Sequence, residues 1–166
     1  NKKAKEEAKK NSTEKNGIAV EFNITGTAAG SNLNVNLSEA VLDKLAKDGI
    51  KTITLKQNGM ALTLDLAAIK EIQKANGDVT LTVSNQDVSK LSKEAQAAIG
   101  KRPVYSITLK TKDGKAITDF GKGQLSFGIP YTLAAGEKAG NLFGVYVDDK
   151  GKVEWLLNSS YDAINK

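Results

Sequence analysis

The sequence predicts a mainly β chain, β-sandwich-like, with short crossover helices. Two observations carry that reading. Three times a short amphipathic helix runs into a glycine and then into an alternating strand: Ser38 to Asp48, Gly49 and Ile50 to Leu55; Ala67 to Asn76, Gly77 and Val79 to Val83; Lys93 to Ile99, Gly100 and Val104 to Leu109. From Pro103 onward the pattern is all strand and turn. Glycine past a helix end accepts the left-handed backbone that closes the last turn, and a period-2 strand after it buries one face. The alternative is an α+β sheet packed by the helices on one face.

Taken in order, residues 1–16 contain no apolar residue larger than Ala and read as a charged flexible linker. Residues 17–166 read as a single β-rich module. It starts with Ile18 to Ile24, apolar at alternate positions. An internal duplication follows, in which Leu33 to Leu37 leads into the first helix and Leu62 to Leu66 into the second, so that Leu33 corresponds to Leu62 and Leu37 to Leu66. Leu37, Val41 and Leu45, and then Leu66, Ile69 and Ile72, have helical spacing. Ser38 and Asp65 are the candidate N-caps. Asn58-Gly59 between the copies is a strong hairpin signal. Strands are then expected at Tyr105 to Leu109, Ala116-Ile117, Leu125 to Ile129, Phe143 to Val147 and Val153 to Leu157. Turns fall at Lys112 to Lys115 and Asp148 to Lys152, and Pro130 ends a strand or marks a sheet edge.

Composition removes several function classes. The 166 residues include 24 Lys+Arg and 19 Asp+Glu, a net charge of +5, but no Cys and no His. Without those two residue types there is no Cys nucleophile, no Cys/His zinc site and no Ser-His-Asp triad. Three of the five net charges sit in residues 1–16, so the rest is nearly neutral and does not read as a nucleic-acid binder. No apolar run in the sequence is long enough to span a membrane as a helix. The chain begins at Asn1 with no signal peptide and reads as a piece cut from a longer polypeptide.

Several stretches of the C-terminal part resemble a known module: Val104-Tyr105, Ile117 to Gly123, Ile129 to Glu137, Val145 to Lys152 and Tyr161 to Ala163. Similar sequences occur in bacterial cell-surface proteins, especially Gram-positive ones with S-layer homology repeats. The resemblance extends over residues 17–163 and is carried most specifically by Pro130-Tyr131-Thr132-Leu133 with Gly136-Glu137. It implies a β-rich, secreted extracellular module that spaces or displays other domains on the envelope, with no catalytic role and no cofactor. Such modules continue past Tyr-Asp with a His-Phe-Ser segment and a final strand. This chain has no His, so the expectation is strand complementation, the last strand coming from elsewhere in the polypeptide or from another chain.

Four aromatic residues are the candidates for a competing function, binding of carbohydrate or cell wall: Tyr146, Tyr131, Trp155 and Tyr161. Aromatic faces stack on sugar rings. Trp155 alternates with Val153 and Leu157, which reads as a core or sheet-face position, whereas Tyr146 is out of phase with Val145 and Val147 and reads as exposed. Asp148-Asp149 lacks the remaining ligands of a calcium loop and reads as a turn. Glu137 and Asp119 are the carboxylates that an acid–base pair would need, and Gly121-Lys122-Gly123 reads as a turn. No metal site is assigned.

Overall fold

A computed structural model describes residues 18–25 and 32–163. The linker expected at residues 1–16 and any strand completing the C-terminus lie outside these residues. The described chain is mainly β with short helices, as the alternation predicts. The strands are β1 Ile18–Asn23, β2 Leu33–Leu37, β3 Ile50–Gln57, β4 Met60–Asp65, β5 Val79–Gln86, β6 Val104–Thr111, β7 Leu125–Gly128, β8 Gly144–Val147 and β9 Val153–Leu156. The helices are α1 Glu39–Lys47, α2 Leu66–Gln73 and α3 Lys93–Ile99, with single 3-10 turns at Val88–Lys90 and Ala139–Asn141.

Each helix starts where a side chain takes up a free backbone N–H. Ser38 accepts from Val41 at 3.4 Å, Asp65 from Ala68 at 2.7 Å and Ser92 from Ala95 at 3.1 Å. Helix α2 ends at Gln73, short of the expected Asn76. The N–H groups of Lys74, Ala75 and Asn76 reach back only to the carbonyls of Glu71, Ile72 and Gln73, which tightens the last turn. The left-handed residue that stops it is Asn76, φ +51°, whereas after α1 it is Gly49, φ +64°.

Strand order is β1-β3-β4-β7 in one sheet, β2-β5-β6 in a second and β8-β9 in a third. The pairing of β1 with β3 is parallel, and β3-β4 is a hairpin through Asn58-Gly59. The duplication takes a reciprocal form. The first copy, β2-α1-β3, and the second, β4-α2-β5, pair end to end. The close of the first lies antiparallel to the opening of the second (Leu55 opposite Leu62), and the opening of the first lies antiparallel to the close of the second (Leu33 opposite Val83). Helix α1 packs on α2. The N-caps Ser38 and Asp65 correspond, as do the buried pairs Leu42/Ile69 and Leu45/Ile72, so the copies align at a slightly shorter offset than the strand motifs suggested. Val41, expected to face inward, is exposed, and Leu42 takes the inner position.

The described parts of Asn1–Ser84 and Ile107–Ile129 form one compact unit, and those of Asn85–Ser106 and Pro130–Lys166 form another. In the first, one apolar core gathers Val20, Ile53, Leu55, Leu62 and Leu64 from the four-stranded sheet, Leu37, Val79 and Leu81 from β2 and β5, and Leu42, Leu45, Ile69 and Ile72 from the helices. Each such Leu or Ile contributes about 1.5–3 kcal/mol of burial. Gly123 shows how closely the backbone packs: a Cβ there would stand 2.2 Å from the amide nitrogen of Ala68 in the first turn of α2.

Candidate interaction surface

The second unit is built differently. Among the described residues its buried hydrophobic ones are Ala95 and Ile99, both on α3. It also contains most of the large apolar side chains left in solvent among the described residues: Phe143, Tyr146, Trp155, Leu156 and Leu157. These cluster on and beside the β8–β9 hairpin, against which α3 packs through β9.

The hairpin is closed by local hydrogen bonds. Asp148 Oδ1 accepts the backbone N–H of Lys150 at 2.9 Å and of Lys152 at 2.8 Å, and Gly151, φ +82°, donates to the Asp148 carbonyl at 2.9 Å. The Asp148 carboxylate thus serves the turn. Ser92 Oγ donates to the Gly151 carbonyl at 2.8 Å, tying the N-cap of α3 to this turn. At the other end Gly144 and Leu156 are register partners, and Ser159 stands between their polar groups. Its hydroxyl accepts the Gly144 N–H at 2.6 Å and donates to the Leu156 carbonyl.

Register decides which aromatic residues can act together. Directly opposite residues of an antiparallel pair share a face. Val145 faces Trp155, and Tyr146 faces Glu154. Tyr146 and Trp155 therefore lie on opposite faces of the hairpin. Tyr146 is 53% exposed, as its phase predicts. The core reading of Trp155 does not hold: it is 58% exposed, and Leu157, two positions on, is 77% exposed. Period-2 spacing gives a side chain its face but not what covers that face.

Tyr131 and Glu137 belong to a separate cluster. Glu137 Oε2 accepts the Tyr131 hydroxyl at 2.7 Å and the Ala134 N–H at 2.8 Å, while Oε1 accepts Arg102 Nη2 at 2.6 Å. Arg102 Nη1 in turn donates to the Ile99 carbonyl at the end of α3 at 3.1 Å. The Tyr131 hydroxyl, followed by the Ala134 amide and Arg102, holds the Glu137 carboxyl below the ordinary carboxylate range. The same carboxylate pushes the Tyr131 phenol above its ordinary value. The Pro-Tyr-Thr-Leu segment is thus folded back on its own Gly-Glu, with the Tyr131 ring half-buried. Tyr161 is also half-buried.

Sequence reasoning passed over Arg102, although the signal was present: it is the single arginine among the 24 Lys+Arg residues, and its planar fork suits a carboxylate. Of the acid–base candidates, Glu137 is engaged as described, and Asp119 Oδ1 accepts the Gly121 N–H at 2.7 Å in a turn of the first unit. Among the described residues no group of three or more Asp, Glu, His or Cys side chains is placed to hold a metal ion, and no helix is long and apolar enough to cross a membrane.

No protein-family model, no curated protein and no solved structure matches this chain.

Proposed function

We propose that this chain is a non-catalytic structural or assembly module of a bacterial cell-surface protein, and that it contacts neighbouring domains or chains through the β8–β9 hairpin. The observation that carries the reading is the contrast between the two units. The first buries most of its large apolar side chains in a shared core, whereas the second leaves Phe143, Trp155, Leu156 and Leu157 exposed around a sheet that has two strands among the described residues. Large apolar side chains grouped in solvent on one hairpin mark interaction sites, and a two-stranded sheet offers edges to an incoming strand. The extracellular, Gram-positive setting rests on the resemblance of Ile129 to Glu137 and Val145 to Lys152 to surface-protein modules.

The deciding experiment presents the purified chain to neighbouring segments of its parent protein and to a second copy of itself, with binding followed by light scattering. Retention that is lost in Leu157→Lys supports the reading; a strictly monomeric chain that captures neither overturns it. One observation favours a second reading, a module that binds cell-wall glycan: Tyr146 is exposed and lies directly opposite Glu154 on one face of the hairpin, where the Glu154 carboxylate, paired with Lys152 at 3.4 Å, is also in solvent. Retention on insoluble peptidoglycan that disappears in Tyr146→Ala would select it.

A further inference from the structure

Two Asn-Gly pairs lie among the described residues, Asn58-Gly59 and Asn76-Gly77, and the fold treats them differently. In an Asn-Gly pair the glycine amide nitrogen can attack the asparagine side-chain carbonyl. The new N–C bond closes a succinimide, the amide nitrogen leaves as ammonia carrying the glycine proton, and water reopens the ring to aspartate or isoaspartate. Ring closure requires the asparagine carbonyl and the glycine amide to rotate about the Cα–C bond. Both asparagines are left-handed, with φ +50° and +51°, so the two pairs start alike in this respect. What opposes the rotation differs between them.

Asn58 is the tip of a tight hairpin. Its neighbours Gln57 and Met60 are paired across the ladder, and both are buried, so turning the Asn58–Gly59 peptide disrupts β3 against β4. Asn76 lies in the link between the end of α2 and β5, exposed, with Gly77 in a bend. No atom stands within 4 Å of the place a Cβ on Gly77 would occupy, and no ladder pairing holds the two residues that flank this peptide.

We infer that Asn76-Gly77 is a site of spontaneous deamidation and isoaspartate formation in the folded protein, and that Asn58-Gly59 is protected by its hairpin. The site has a structural consequence. Asp78, two positions on, accepts the backbone N–H of Glu39 at 3.1 Å and so holds the first turn of α1. Isoaspartate adds a methylene to the backbone just ahead of that contact and displaces it.

The test uses the full chain in mildly alkaline buffer at physiological temperature, sampled over days and mapped by peptide mass spectrometry with isoaspartyl methyltransferase labelling. The peptide containing Asn76 is expected to convert several-fold faster than the one containing Asn58, and the difference is expected to vanish in concentrated urea. Equal native rates, a faster Asn58, or the same ranking in urea would each overturn the inference. The converted protein, separated by ion exchange, should also show faster amide exchange at Glu39 than the unconverted protein; unchanged exchange there would sink the proposed consequence.

Discussion

The Tyr131 hydroxyl donates to Glu137 at 2.7 Å, closing a short loop of the chain on itself. Because the Glu137 pKa is lowered on folding, its contribution to stability is complete above the ordinary carboxylate range and is lost as pH falls through the lowered value. Because the Tyr131 pKa is raised, its contribution is present below the ordinary phenol range and is lost as pH rises through the raised value. Tyr131→Phe removes the largest cause of the Glu137 shift. The Glu137 carboxyl should then titrate closer to its ordinary value, read from its carbon-13 shift against pH; an unchanged midpoint would refute the assignment.

Gly123→Ala drives a methyl into the backbone at Ala67 and Ala68, which cannot move without unseating α2. Overpacking of this kind costs about 1–3 kcal/mol. Urea denaturation should show a lowered midpoint. Gly136→Ala meets no atom within 4 Å but carries a φ of +87°, so any loss there reports backbone strain alone.

The two caps should differ in strength. Asp65 accepts its N–H at 2.7 Å and carries a charge beside the positive end of α2, whereas Ser38 accepts at 3.4 Å. Asp65→Ala is expected to cost nearer the top of the range of about 0.5–2 kcal/mol for cap removal, and Ser38→Ala nearer the bottom. Equilibrium unfolding of the two variants side by side checks the order.

Burial separates Ile69 from Trp155. Ile69 is fully buried, and Ile69→Ala should cost about 2–5 kcal/mol. Trp155, although larger, leaves more than half its surface in solvent. Trp155→Ala should therefore change stability far less, closer to the shift of about 0.5 kcal/mol that bounds ordinary surface changes. If Trp155→Ala unfolds the chain as readily as Ile69→Ala, the indole belongs to a core and cannot serve as a contact surface.

Much of the first unit was legible because its signals are local. Ser38 and Asp65 cap, Asn58-Gly59 turns, and Leu62 and Leu64 alternate, each for reasons contained within a short stretch of chain. Less visible was anything set by partners far along the chain. The parallel pairing of Ile18–Asn23 with β3 has no sequence signature, and Ala116-Ile117, read as a strand, forms only the bridge from Lys110 to Ala116. For the candidate surface, alternation placed Tyr146 outward but could not show that the strand bearing Trp155 has a single neighbour in its sheet among the described residues. The ties from Arg102 to Glu137 and from Ser92 to Gly151 join residues 35 and 59 positions apart, beyond the reach of any periodicity.

Because β2-α1-β3 and β4-α2-β5 each supply the strand and the helix face that the other needs, the first unit is in effect a dimer whose subunits share one polypeptide. Association between the halves is intramolecular, so dilution cannot separate them, and the Asn58-Gly59 turn is the covalent tether that makes this so.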